Sequence, residues 1–301
     1  MIEKSFVTQR FAKLKFPHFS LVGYSMAGEE TVVQVPELNV CFDVGRAPQF
    51  CISSDYLCIS HAHMDHLAGI GYYVSQKHFQ GMKPGTIFIH EELEAPLERL
   101  LACWRTLERQ QTPYEIVPMV PNRLHEIRRD FGIRALETHH AGPSLGYSLV
   151  SIREKLKPEY MGIAGEELAR MKAEGTPIQY RLEVPLVTYL GDTTAGPVFE
   201  HPDVVNAEVL LMECTFFEPD HIARSKAGRH LHVEQLNRIL SRLNNKHVVL
   251  LHVSRRTGIR RARHFLRKAV HEELLHNVLL LMDFDNARDA GELEAAPGEG
   301  A

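Results

Sequence analysis

The chain has 301 residues, 44% hydrophobic and 24% charged, with a formal net charge of −4. This is the composition of a soluble globular protein. No apolar run approaches the roughly 20 residues of a membrane span, and a slightly acidic whole is no global nucleic-acid binder, so any polyanion contact must come from a local patch.

Met1-Ile2-Glu3-Lys4-Ser5-Phe6 lacks the hydrophobic region of a signal peptide. Cys41, Cys51, Cys58, Cys103 and Cys214 form no CxxC pair, and Cys41, Cys58 and Cys214 lie in apolar runs. They read as small core residues in a reducing compartment, so a cytoplasmic location is expected. Short apolar runs bounded by turn residues predict strands at 40–43, 56–60, 86–90, 133–137, 147–152, 186–190, 209–212, 248–252 and 278–282. Helical periodicity predicts helices at 67–78, 92–108, 165–173, 233–243 and 260–275. Val233, Leu236, Ile239, Leu240 and Leu243 make one apolar stripe. The stretch 153–183 carries six basic and six acidic residues with weak periodicity, which reads as an insertion or a protruding helical arm. No linker interrupts the middle of the chain, so 1–284 reads as a single domain. The acidic, Ala- and Gly-rich 285–301 reads as a disordered tail.

The most informative segment is His61-Ala62-His63-Met64-Asp65-His66, directly after the apolar run 56–60. Imidazoles and carboxylates at a strand end are the lone-pair donors that a metal needs, placed where α/β folds build active sites. The segment cannot be complete, because each ion wants four or more ligands. Further donors follow predicted strands in Thr138-His139-His140, Gly191-Asp192-Thr193 and His252. Singly, each is as readily a hydrogen-bonded structural residue or a turn. Together they supply what a dinuclear site requires.

His61–His66 is the HxHxDH signature of the metallo-β-lactamase superfamily. The ordered set of motifs resembles ribonuclease Z, the tRNA 3′-end endonuclease family, in its plant-type short form. The set comprises Cys41-Phe42-Asp43-Val44-Gly45-Arg46-Ala47-Pro48-Gln49, the 60–69 stretch, His140 with Gly146-Tyr147, and Lys155-Leu156-Lys157-Pro158-Glu159-Tyr160. It continues with Leu190-Gly191-Asp192-Thr193-Thr194, Met212-Glu213-Cys214-Thr215-Phe216 and His252-Val253-Ser254-Arg255-Arg256. The resemblance implies an α/β fold of αββα type, with two mixed sheets face to face, helices outside, and metals at one edge between the sheets.

It implies that His61, His63 and His140 hold one divalent ion, that Asp65, His66 and His252 hold the other, and that Asp192 bridges them. His140 is preferred to His139 because it stands six residues before Gly146. Asp43 would orient ligand imidazoles. Asp65, His230 and Glu213 would be catalytic: the ions activate water against phosphorus, Asp65 takes the water's proton, and His230, tuned by Glu213, supplies acid to the leaving 3′ oxygen. His232 is a weaker candidate for the His230 role. Ser254 and Arg256 would hold phosphate oxygens. Zinc fits the ligand set, with manganese a substitute. The resemblance further implies a precursor tRNA substrate and a homodimer, and no membrane partner is expected.

Residues 255–268 carry Arg255, Arg256, Arg260, Arg261, Arg263, Arg267 and Lys268 without an acidic residue. On a helix, positions 260, 263, 264, 267 and 271 share a face opposite Ala262, Phe265, Leu266, Ala269 and Val270, which predicts a basic stripe for phosphate contact. Two departures from the family stand out. The long arm that grips the tRNA elbow is shortened to 153–183, and Thr257 replaces an expected aromatic residue. They keep open a hydrolase of the same fold acting on another phosphodiester or ester, such as a cyclic nucleotide. A binding module without catalysis is disfavoured because every expected ligand is present.

Overall fold

The computed structural model describes residues 11–284, so Met1–Phe6 and the 285–301 tail lie outside the described residues. One sheet contains β1 (Ala12–Lys15), β2 (Ser20–Ala27), β3 (Glu30–Val35), β4 (Val40–Phe42), β5 (Tyr56–Cys58), β6 (Thr86–His90) and β7 (Glu115–Met119) in that order. The other comprises β8 (Leu124–Arg128), β9 (Phe131–Glu137), β10 (Leu145–Leu156), β11 (Gln179–Tyr189), β12 (Val209–Glu213), β13 (His247–Leu251) and β15 (Val278–Leu280). Between the last two, β14 (Val253–Ser254) crosses over to pair with β2 of the first sheet.

Both sheets are mixed for the same reason. The strands from β1 to β4 and from β8 to β11 each fold back on the one before and pair antiparallel, through short connections except between β10 and β11, where residues 157–178 intervene. Longer crossovers join β4 to β7 and β11 to β13, and these pair parallel. The helices that separate the strands are α1 (Gln49–Ile52), α2 (Met64–Leu67), α3 (Ile70–Phe79), α4 (Glu91–Glu108), α5 (Gly165–Ala173), α6 (Pro202–Asn206), α7 (Ile222–Gly228), α8 (Leu236–Leu240) and α9 (Ile259–Ala269).

The sheets meet face to face. Phe42 and Tyr189 pack with ring centroids 4.9 Å apart, and the Tyr147 hydroxyl donates across the interface to the Ile59 carbonyl at 2.8 Å. Leu57, Ile87 and Phe88 of one sheet and Leu149, Val187 and Leu211 of the other are fully buried. Each such side chain contributes about 1.5–3 kcal/mol by leaving water. This is the αββα arrangement that the motifs imply.

All the predicted strands are present, with ends shifted by a few residues. The strands β1, β2, β3, β7, β8 and β14 are not among those predicted. In β2, Gly23 and serines interrupt the apolar pattern, and Gly23 is needed because a Cβ there would lie 2.7 Å from the Val32 carbonyl oxygen.

The predicted helix 67–78 is two pieces, α2 and α3, broken at Gly69, where a Cβ would lie 2.4 Å from the Ala47 nitrogen. The helix expected at 260–275 stops at Ala269 because Val270 turns extended, and a short 3-10 turn follows at Glu272–Leu274. The helix expected at 233–243 is a 3-10 turn, Val233–Gln235, followed by α8. The arm at 153–183 is not mainly helical. The outer halves of β10 and β11 pair from Arg153↔Leu182 to Leu156↔Gln179, and α5 caps this ribbon. The Arg134 guanidinium ties the ribbon's base to the body through Glu183 and through Asp203 at 2.7 Å.

Gly191 has a φ of +58°, and a Cβ there would lie 2.6 Å from the Ser60 Cβ. Gly191→Ala is therefore expected to destabilise metal-free protein by at least about 2 kcal/mol, through backbone strain and overlap together. Urea unfolding measures this, and an unchanged midpoint would contradict the close approach.

Candidate metal centre

The ends of several strands converge at one rim between the sheets. His61, His63, Asp65 and His66 lie in the turn and short helix after β5, His140 follows β9, and Asp192 follows β11. His252 sits between β13 and β14, where the chain passes from one sheet to the other. That corner needs a left-handed backbone: His252 has a φ of 61°, and Asp43, after β4, has 53°. Non-glycine residues in this region cost on the order of 1–3 kcal/mol and persist only where surroundings hold them. Here the His252 N–H donates to the Ser25 hydroxyl at 2.9 Å, and the Asp43 N–H donates to the Cys58 carbonyl at 2.9 Å.

Among the described residues three sets of donors result, His61, His63, His140 and Asp192, beside them Asp65, His66 and His252, and, overlapping both, Asp192, His230 and His252, the ligand atoms of each set lying within 4.8 Å of one another. Asp192 reaches both of the first two. Its Oδ2 is 3.7 Å from His61 Nε2 and 3.9 Å from His140 Nε2 on one side, and 3.4 Å from both His66 Nε2 and His252 Nε2 on the other. Asp65 Oδ2 lies 3.3 Å from His252 Nε2 and 3.8 Å from His66 Nε2.

A divalent cation fits this set. His61 Nε2 is buried without a hydrogen-bond partner, an orphan that a cation at the centre would satisfy. Burial, helped by the neighbouring His66, pushes the His61 imidazole down to about 2, and burial also lowers His140. Both therefore offer free lone pairs at neutral pH. His66 goes the other way: burial lowers it, but Asp192 and Asp43 outweigh burial and raise it. The carboxylates thus draw positive charge into the centre, which a bound cation supplies in place of a proton. Asp65 stays ionised because the His252 hydrogen bond and the charges of His66 and His252 overcome the effect of burial.

Buried groups behind the donors aim them. Asp43 Oδ2 accepts from His66 Nδ1 at 2.7 Å, from the Ser60 hydroxyl at 2.7 Å and from the Tyr189 hydroxyl at 2.5 Å. Asp43 Oδ1 accepts from the Ser60 N–H at 2.7 Å. This turns His66 Nε2 toward the centre. Thr215, for which the sequence carries no separate signal, does the same for His252: its hydroxyl donates to Glu213 at 2.6 Å and lies 2.9 Å from His252 Nδ1.

Glu213 ends β12 and is buried. It accepts from His230 Nδ1 at 2.9 Å, from the Thr193 N–H at 2.9 Å and from the Leu231 N–H at 3.2 Å. Burial alone would lower His230, but the charge and hydrogen bond of Glu213, with Asp192 beyond, raise it to about 9. The His230 ring stacks on His252 with centroids 5.3 Å apart, and its Nδ1 is 4.0 Å from Asp192. His232 does not share this place. Its Nε2 faces the Glu218 carbonyl at 2.9 Å, and its Nδ1 accepts from the Glu234 N–H, so it caps the turn Val233–Gln235. His139 is exposed, whereas His140 is buried.

A cleft of ≈ 360 Å³ opens over the centre, lined by His63, Asp65, Asp192, His230 and His252 together with Ser254 and Arg256. Phe216 and Arg224 also line it. Arg224 lies in α7 with no motif around it, and only the fold brings it there.

The basic stripe is partly spoken for. Arg255 pairs with Glu29, Arg261 with Glu218 at 2.6 Å and Arg263 with Asp283 at 3.4 Å. Arg263, expected on the open face, is thus half-buried against a carboxylate, while Arg260, His264, Arg267 and Lys268 are exposed. Ala262, Leu266 and Val270 are buried, and Phe265 and Ala269 pack partly buried against the core, as the periodicity predicts.

The model of the β-lactamase superfamily domain matches residues 49–253. tRNase Z TRZ1 of Arabidopsis thaliana is 33% identical over 245 residues, covering 80% of this chain and 88% of that protein. Nuclear ribonuclease Z of Triticum aestivum is 37% identical over 166 residues, covering 55% of this chain and 94% of that protein. Among solved structures, human tRNase Z, short form, superposes with a TM-score of 0.56 at 16% identity, over 87% of this chain and 95% of that one. At that identity the superposition speaks to the fold alone.

With its affinity for protons raised, His230 keeps its charge at neutral pH. The associated stabilisation is fully present below the ordinary imidazole value and is lost as pH rises through about 9. In metal-free protein the His230 ring resonance in proton NMR should titrate well above that ordinary value. In Glu213→Gln it should titrate far lower, because burial then acts unopposed. Equal midpoints in the two proteins would remove Glu213 as the cause.

Proposed function

The chain belongs to the β-lactamase superfamily and, within it, to the tRNase Z family of metal-dependent hydrolases, and from this we propose that it is an endonuclease that removes the 3′ trailer of precursor tRNA. The observation that carries the reading is the meeting of two donor sets on Asp192, with the charged Glu213–His230 pair at their edge. His61, His63 and His140 would hold one divalent ion, Asp65, His66 and His252 the other, and Asp192 both. Bound there, the ions supply the charge that polarises a phosphoryl oxygen and makes water acidic enough to be a nucleophile near neutral pH. Zinc suits so many imidazoles, with manganese a substitute.

The chain's own residues do the rest. Asp65, held by the Gly28 N–H at 2.8 Å, stands ready to take the proton of the attacking water. Protonated His230 donates to the leaving 3′ oxygen as its bond to phosphorus breaks, and Glu213 steadies the imidazole before and after. Ser254 and Arg256 face the cleft where phosphate oxygens would lie, and Arg224 adds a second guanidinium.

Exposed Arg267 and Lys268 would add salt-dependent affinity for the RNA backbone. A homodimer is supported by an apolar surface on α3 and α4, where Tyr72, Phe79, Leu100, Trp104 and Leu107 are exposed. A cytoplasmic site is supported by the unpaired Cys41, Cys51, Cys58, Cys103 and Cys214. No helix among the described residues is long and apolar enough to cross a membrane. The short, charge-balanced arm and the buried Thr257 favour a second reading, a hydrolase of another phosphodiester or ester such as a cyclic nucleotide.

Metal-loaded protein should cut a 3′-extended precursor tRNA after the discriminator nucleotide. Hydrolysis of bis(p-nitrophenyl) phosphate without that cut would sink the tRNA reading in favour of the second. His252→Ala should lose bound metal and activity together, and normal metal content in this variant would refute His252 as a ligand. Reversing charge at Arg267 and Lys268 should weaken RNA binding and reduce the slope of log affinity against log salt by about 1 for each phosphate no longer neutralised. An unchanged slope would leave these residues as solvated surface.

A further inference from the structure

We infer that Arg229 is a positioning residue for the metal centre, clamping His140 at two points and tying it to His230. The inference rests on the reading that His140 is a metal ligand. His140 lies beyond β9, where His139 beside it is held by Thr193 and Thr194 but its own backbone pairing among the described residues is an isolated bridge to Gly142. Its support comes from another element altogether. The Arg229 carbonyl faces His140 Nδ1 at 3.2 Å, and Arg229 Nη1 donates to the His140 backbone carbonyl at 2.7 Å. The first contact keeps the proton on Nδ1 and leaves the Nε2 lone pair for the centre, where it lies 3.2 Å from His63 Nδ1. The second fixes the backbone that carries the ring.

The backbone at Arg229 makes the same point. Arg229 ends α7 in the left-handed region, with φ 56° and ψ 50°, and its N–H closes the helix onto Lys226 and Ser225. Glycine is the residue this cap position favours, because it has no Cβ to clash. Gly228 stands one residue too early to take it. Here the side chain has a use that glycine lacks, the guanidinium bond to the His140 carbonyl. Arg229 also immediately precedes His230, whose N–H returns to the Ser225 carbonyl at 2.9 Å. The His140 and His230 rings come to rest with centroids 4.9 Å apart. One residue thereby sets both a ligand of the centre and the spacing of the acid from it.

Titration of Co(II) into metal-free protein, followed by visible absorbance, tests the clamp without RNA. In Arg229→Gly the strain is relieved and the guanidinium removed. The metal-free protein should melt at or above the wild-type temperature, while one of the two Co(II) equivalents binds about 10–100-fold more weakly, with an altered spectrum. Arg229→Asn, which also tolerates the left-handed backbone but is too short to reach, should show the same loss at one equivalent. Arg229→Lys should recover part of it. His140→Ala should lose that same equivalent outright. Wild-type affinity and spectrum for both equivalents in Arg229→Gly and Arg229→Asn would reduce Arg229 to a helix cap and overturn the inference. Two intact equivalents in His140→Ala would remove His140 as a ligand and the clamp with it. A failure to cut precursor tRNA would touch only the substrate assignment.

Discussion

The structure depends on a buried carboxylate with every near neighbour donating to it. Asp43 sits at the end of β4 and receives hydrogen bonds from Ser60 and His66 of its own sheet's rim and from Tyr189 of the opposite sheet. A buried carboxylate without such donors would carry a large desolvation cost. With them it joins the two sheets at the place where the metal donors gather, and it fixes the tautomer and direction of His66.

Glu213 repeats the arrangement on the far side. It gathers the N–H groups of Thr193 and Leu231, the hydroxyl of Thr215 and the ring of His230. Through Thr215 it reaches His252, and through the Thr193 N–H it holds the segment that carries Asp192. The carboxylates of the site thus divide by environment. Asp43 and Glu213 are spent on orientation, deep behind the rings. Asp65 and Asp192 point into the space between the imidazoles, where positive charge is wanted. A phosphodiester held over that space meets a charged acid at one edge and guanidinium groups at the mouth of the cleft.

Parts of this were legible along the chain because they are local. The HxHxDH segment lies within a few residues of a strand end, and the apolar runs before Asp192 and His252 mark buried parallel strands whatever packs on them. Gly165–Ala173 and Glu91–Glu108 follow from periodicity almost to the residue. Where local pattern misled, a contact with a distant residue had taken over. At Gly69 the helical run is interrupted because its N–H donates to the Gly45 carbonyl at 2.7 Å, and Arg263 leaves the basic face for Asp283. In β2 the apolar pattern is interrupted by Ser20, Gly23 and Ser25, which are buried because β1 and β3 pair on either side rather than by their own hydrophobicity.

The amino-acid sequence by itself determined the chemical class. Donor types, their order and their positions at strand ends are properties of the chain; they point to a metal site, and the resemblance of the motifs to ribonuclease Z implies hydrolysis there. Only the tertiary structure decided which donors share a centre, that Asp192 stands between them, that His230 rather than His232 faces the cleft, and that Arg224 and Arg229 belong to the site at all. The reason is physical. Ligation and proton transfer act over a few ångströms between residues as far apart in the chain as His66 and His252, and such proximity exists only after two sheets have closed on a common core.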